Sequence, residues 1–260
     1  MSKARIEVPA ELQTYLEVEH CDDFPVNRYH MTDDVQELYD RIIDNYNLSP
    51  QIHAYGFNYL NTALLYGLPG TGKTHFSRYV AHMQDLDFAY INFAKMMGGY
   101  GDANKIISDI FRFMANTKCV FMMDEIDCIA RKRSKDGSDV AITMAGNTIT
   151  VMQELDYYRS HDVNSIILAA TNRVDTLDEA LLSRFALKHE MQPLSNLDKE
   201  KYLIHCLEDA GIPFKEEDIQ HYCARNSRLE QRNMELDMIQ GIATWIKNGK
   251  QGTVQIEHIK

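Results

Sequence analysis

At 260 residues the chain can bury one large core, or a core and a smaller satellite, and its 45% hydrophobic and 25% charged content is ordinary for a globular protein. A formal net charge of -11 argues against a broad phosphate-binding surface, so nucleic acid is not the expected partner. No apolar run is long enough to span a bilayer and the amino terminus has no apolar signal core, which together predict a cytoplasmic location.

In chain order, residues 1–30 have mixed polarity, with a short helix expected from Pro9, a residue suited to a first helical turn. Thr32 or Asp33 can cap a helix near 33–46, where Val35, Leu38, Ile42 and Ile43 share one face. Apolar runs of strand length follow at 63–66, 88–92, 120–123, 166–170 and, more weakly, 186–191. Helical stretches between them begin near Lys73, Asp102, Val140 and Thr176. Strands alternating with helices predict a parallel sheet sandwiched by helices, an α/β fold. Pro193 closes that alternation, and 196 to about 248 reads as helical, broken near 211–213 and 226–227. The expected organisation is an extension over 1–50, an α/β domain over 51–193 and a small all-α domain over 194–260. Cys21, Cys119, Cys128, Cys206 and Cys223 lack CxxC spacing and read as reduced thiols, not as a disulfide frame or zinc site.

The run Gly67-Leu68-Pro69-Gly70-Thr71-Gly72-Lys73-Thr74 leaves an apolar strand and opens a helix, the context that gives a phosphate-loop pattern its meaning. Glycines let successive N–H groups converge on phosphates where side chains would block them, and the helix adds its positive end. Lys73 is expected at the β- and γ-phosphates and the Thr74 hydroxyl on Mg²⁺, with His75 beside them; ATP and Mg²⁺ are the expected cofactors. The strand at 120–123 ends in Asp124 and Glu125, at the sheet rim where ligands of such folds bind. Asp124 suits the Mg²⁺ shell, and Glu125 suits the general base that polarises an attacking water.

Around these motifs the chain resembles the AAA+ ATPases, and within them the AAA family proper, over roughly residues 55–245. Asp124-Glu-Ile-Asp-Cys-Ile-Ala-Arg-Lys-Arg133 looks like that family's extended Walker B segment, and 147–156, ending Glu-Leu-Asp, like the helix after it. Residues 170–185, from Ala-Thr-Asn-Arg to Leu-Ser-Arg-Phe, are similar to its second region of homology. The resemblance implies a phosphate-loop ATPase domain followed by a helical lid, with ATP between them. It implies that Asn172 orients the attacking water and that Arg184 reaches the nucleotide of a neighbouring subunit, completing the site only in an oligomer, typically a hexameric ring. Many relatives carry a second arginine where Leu187 stands here. Arg232 resembles a nucleotide-sensing lid arginine, with Arg225 and Arg228 as rivals. Tyr100, after Met96 and Met97, corresponds to an aromatic pore residue, although it abuts Gly101 directly.

The expected function is therefore an ATP hydrolase that remodels, unfolds or disassembles a protein substrate or adaptor-bound protein as a ring oligomer. Alternatives are a nucleic-acid-linked loader or replication accessory, and a nucleotide-gated scaffold. The basic run Arg131-Lys132-Arg133 is discounted as a targeting signal. His189-Glu190 is discounted as a zinc motif, because Pro193 stands where its second histidine belongs.

Overall fold

The computed structural model describes residues 5–97, 103–129, 139–161 and 163–258. It divides into two compact units: residues 1–24, 34–67 and 73–190 form the first, and 25–33, 68–72 and 191–260 the second. No helix among the described residues is long and apolar enough to cross a membrane.

The first unit is built on six strands: β1 (Leu16–Glu19), β2 (Thr62–Tyr66), β3 (Asp87–Ile91), β4 (Cys119–Met123), β5 (Ile166–Thr171) and β6 (Leu187–Glu190). Their order is β1-β3-β4-β5-β2-β6, parallel throughout except that β1 pairs antiparallel with β3. Strands β4 and β5 are buried along their whole length, so they read as continuous apolar runs without alternation. One face carries Leu64, Ile91, Phe121, Met123 and Ile167 against α4 (Ala103–Asn116) and α5 (Asp139–Tyr158). On α4, Ile107, Ile110, Phe111 and Met114 make a helical-period stripe that packs into this core. Against β3, β4 and β5 also packs α2 (Lys73–Met83), whose Phe76 and Val80 are fully buried.

Two expectations for the first sixty residues fail. In place of a helix from Pro9 there are tight turns, with Leu12 N–H donating to Pro9 O and Tyr15 N–H to Leu12 O, both at 2.9 Å, before β1 begins. A four-residue edge strand with only Leu16 fully buried has too few positions to show a period. The helix expected to end near Tyr46 is α1 (Asp33–Ala54), which carries Pro50 inside it. An internal proline removes one ladder bond and costs about 3 kcal/mol, which is why Ser49-Pro50 reads as a stop. Here the last turn is tied down by the His53 ring at 2.7 Å from Tyr59 O, and Gly56 (φ 82°) turns the chain out of the helix.

The second unit packs α7 (Asn196–Asp209), α8 (Glu216–Arg225) and α9 (Gln231–Lys247) around Leu203, Leu207, Ile219, Cys223 and Met234. Ser195 caps α7 by accepting the Asp198 N–H at 3.1 Å. The segment after α9 is not helical: Val254 and Ile256 enter the same core, and Val254 N–H donates to Pro213 O at 2.8 Å. This tail lies so close to α9 that a Cβ on Gly241 would stand 2.4 Å from Gln255 O.

Candidate functional site

In the strand order, β2 lies beside β5 and β6 while the chain's next strand, β3, lies beyond β4, so the order reverses at β2. Ligands of open parallel sheets bind at the carboxyl ends of strands next to such a reversal. The loop expected to hold phosphates leaves the carboxyl end of β2, and Asp124 and Asn172 follow β4 and β5 at the same rim.

Gly67, Gly70 and Gly72 have φ of 136°, 76° and 87°, a conformation that side-chain-bearing residues adopt only at a cost. Lys73 and Thr74 open α2. Lys73 is 7% exposed, and its ammonium donates to Gly67 O at 3.0 Å. Burial pushes its pKa below the usual lysine value, and the nearby Asp124 opposes that shift. The Thr74 hydroxyl donates to Asp124 Oδ2 at 2.7 Å, and Asp124 Oδ1 accepts the Glu125 N–H at 2.9 Å. A hydroxyl and a carboxylate oxygen thus meet at one point beside a buried ammonium. These are hard oxygen donors of the kind that Mg²⁺ takes alongside phosphates and water.

Glu125 has φ 50° and ψ 42°, left-handed backbone that costs a residue with a side chain on the order of 1–3 kcal/mol. It starts the turn Ile126–Cys128, and its exposed side chain leaves the strand end toward solvent. The turn is fastened from below. Asp127 Oδ1 accepts the Thr171 hydroxyl at 2.7 Å, and Thr171 Oγ1 in turn accepts the Arg173 N–H at 2.9 Å. This bracket joins the end of β5 to the turn after β4 and fixes the backbone on both sides of the exposed Asn172. Neither Asp127 nor Thr171 was singled out from sequence. Ser77 adds a second brace, donating to Lys73 O at 3.1 Å and touching Met122 Sδ at 3.3 Å. His75 is exposed, with its ring edge-on to Phe24.

Arg184, two residues past α6 (Glu179–Leu182), is engaged within its own chain. Its Nη2 donates to Asp156 Oδ2 at 2.7 Å, its Nε lies 3.1 Å from both Asp156 oxygens, and its Nη1 donates to Ala180 O. Nearby, Lys188 donates to Leu182 O at 3.2 Å.

In the second unit the loop tip, Leu68–Gly72, lies against the start of α9. Leu68, Gly70 and Thr71 share a pocket of about 310 Å³ with Arg228, Glu230 and Gln231. A Cβ on Gly70 would stand 3.2 Å from the Glu230 carboxylate, a tight contact added to the strain of a side chain at φ 76°. The arginine lining this pocket is Arg228; Arg232 is exposed on the first turn of α9 and does not line it. Arg225 belongs to a different cleft, beside Asp218 and His258.

Tyr100 and the 131–133 basic run lie outside the described residues. Met96, expected to offer apolar contact beside Tyr100, is instead 3% exposed within the first unit's core, because α3 (Phe93–Met97) turns it inward. His189 faces Asp34 at 3.5 Å.

The family described as ATPase family associated with various cellular activities (AAA) matches residues 63–193. A 26S proteasome regulatory subunit 6B homolog from Dictyostelium discoideum is 29% identical over 201 residues, covering 75% of this chain and 48% of that protein. A proteasome-activating nucleotidase from Methanosarcina mazei is 35% identical over 149 residues, covering 55% of this chain and 35% of that protein. The chain thus spans about half, or less, of the length of the curated relatives it matches. A chain in the structure of the HORMA:CdnC:Trip13 complex from E. coli MS115-1 superposes with a TM-score of 0.69 at 14% identity, covering 97% of this chain and all of that one, a likeness of fold.

Proposed function

The chain belongs to the AAA family of ATPases, and from that premise we propose that it hydrolyses ATP with Mg²⁺ and uses the energy to remodel, unfold or disassemble a protein substrate in a ring oligomer. The observation that carries the nucleotide chemistry is the meeting of Thr74 Oγ1 and Asp124 Oδ2 at 2.7 Å beside the buried Lys73. Mg²⁺ would be held there by Thr74 directly and by Asp124 directly or through water, and would supply neutralisation of the phosphate charge. Lys73 gives up its bond to Gly67 O for the phosphate oxygens, and the loop N–H groups of Gly67, Leu68, Gly70, Thr71 and Gly72 complete the cradle. Pro69 has no N–H and serves only to stiffen the loop.

Glu125 takes the proton of the attacking water. Its left-handed backbone sends the carboxylate out of the strand line, and the Asp124 bond to its own N–H holds that turn in place. Asn172 orients the same water from the end of β5. Arg184 stabilises the charge that develops on the γ-phosphate bound by a neighbouring subunit, after exchanging Asp156 for it. In the second unit, Arg228 is the better candidate than Arg232 for sensing what the loop tip holds, because it lines the pocket with Leu68, Gly70 and Thr71.

A protein substrate is favoured by the relatives, two of which are named for the proteasome, and by the net charge of -11, which opposes a nucleic-acid track. The test is phosphate release from Mg-ATP by the full chain, alongside its Glu125→Gln variant. The variant is expected to retain ATP binding and lose on the order of 10²–10⁴ in rate. Equal turnover by the two proteins would remove Glu125 from the reaction.

A further inference from the structure

At the opposite end of the sheet from the phosphate loop lies a group of side chains that ATP chemistry does not use. His20 directly follows the edge strand β1, Cys21 comes next, and Asp87 is the first residue of β3. The antiparallel register pairs Glu19 with Phe88, so the next rung brings His20 to Asp87. All three are buried, at 8%, 3% and 2% exposure, and one ligand atom from each lies within 4.8 Å of the others.

Their hydrogen bonding is incomplete in one place. Asp87 Oδ2 accepts the N–H groups of Arg5 and Ile6 at 2.5 and 3.0 Å, but its Oδ1 is buried with no partner among the described residues. An unpaired buried carboxyl oxygen costs on the order of 1–3 kcal/mol, so native structures rarely leave one. Cys119, the cross-strand neighbour of Asp87 on β4, does not fill the gap: no bond joins them, and burial pushes its thiol up to about 12. The Cys21 sulfur, in contrast, is in reach of several polar groups. It lies 3.8 Å from His20 Nδ1, 3.5 Å from Asp85 Oδ1, 3.9 Å from Asp22 Oδ1 and 4.0 Å from Arg5 Nη2.

We propose that His20, Cys21 and Asp87 form a binding site for a divalent transition ion of the zinc class. A thiolate, an imidazole and a carboxylate are a mixed S/N/O donor set that suits Zn²⁺ and is wrong for Mg²⁺ or Ca²⁺, which take oxygens alone. Asp87 Oδ1 gains the partner it lacks. His20 exchanges the Asp22 N–H, now on Nδ1 at 3.1 Å, for the ion. Cys21 binds as thiolate and its proton leaves to solvent, so uptake strengthens as pH rises. Asp22, exposed and 3.5 Å from the His20 ring, is placed to close a fourth position. Of the three ligands Asp87 alone lines the adjoining cleft of about 540 Å³, together with Arg5, Gln84, Asp85, Asn116 and Lys118. An ion bound by the three would pin the edge strand and the 5–6 segment to β3. It is therefore a structural site, apart from the place proposed for Mg²⁺ at Thr74 and Asp124.

The experiment uses the full chain, stripped with chelator and titrated with Co²⁺ as the spectroscopic stand-in for Zn²⁺. One equivalent is expected to give a thiolate-to-cobalt charge-transfer band together with the visible d–d bands of a tetrahedral site, and Zn²⁺ should bleach both. Cys21→Ser should abolish the charge-transfer band, and Zn²⁺ affinity should fall at least about 100-fold, since even outer partners of a ligand are worth 10- to 100-fold. Zn²⁺ should also raise the melting temperature of the parent chain but not of Cys21→Ser. Absence of a thiolate band, or a band that survives Cys21→Ser, overturns the proposal. Asp124→Asn tests the separation of the two sites: it should leave the cobalt spectrum unchanged, and losing the band there would count against a distinct centre.

Discussion

The two ends of the central sheet treat polar groups in opposite ways. At the carboxyl ends of β2, β4 and β5 the acids are half-buried or exposed, and one of them, Glu125, is held in left-handed backbone. At the amino end of β3 the polar groups are sealed in, with Asp87 taking two backbone N–H groups and lacking only one partner. The first arrangement holds backbone strain at Glu125, and the second ties the 5–6 segment to β3 while leaving one carboxyl oxygen unpaired among the described residues. A residue's chemistry is therefore less informative than which end of the strand it occupies: Asp124 and Asp87 are the same amino acid at opposite ends of adjacent strands.

The largest expected effect separates these two aspartates. Asp124→Asn should reduce phosphate release by about 10²–10³-fold, the scale of losing one preorganised electrostatic group, with little change in melting temperature. Asp87→Asn should act on stability, lowering it by about 1–2 kcal/mol in metal-free buffer through weaker bonds to Arg5 and Ile6. Denaturant titration of both variants reads the contrast directly, and equal stability losses would break it. Next in size is Thr171→Val, which removes the bond to Asp127 without changing the strand's shape. Its steady-state rate should fall about tenfold, because a loosened turn misplaces Glu125 and Asn172. The smallest effect is the most specific: Glu125→Gly should raise stability by about 1 kcal/mol, relieving the left-handed strain while ending turnover. A destabilised Glu125→Gly protein would mean that the carboxyl end stores no strain.

Much of the carboxyl end was legible from sequence, because the phosphate loop is contiguous and its glycines, lysine and threonine need only local spacing to be recognised. The strands at β4 and β5 were legible as apolar runs, as fully buried strands should be. The Thr171–Asp127 bracket was not, since it depends on β4 and β5 being neighbours, a fact of strand order that neither segment contains. The amino end was hidden for a similar reason. His20 and Cys21 follow an edge strand of four residues, and Asp87 becomes their neighbour only through antiparallel pairing with β3. The lid arginines divide likewise: motif position favoured Arg232, while the approach of Gly70 to Glu230 shows that the loop tip sits beside Arg228.

The ion pair between Arg184 and Asp156 has a consequence for concentration dependence. A partly exposed pair is worth up to about 1 kcal/mol, which leaves the guanidinium free about one-sixth of the time. If Arg184 serves a neighbouring subunit as proposed, that subunit meets only this fraction in a competent state, and its apparent affinity is lowered in proportion. Asp156 would then act as an internal competitor that raises the protomer concentration needed for this contact by up to about sixfold.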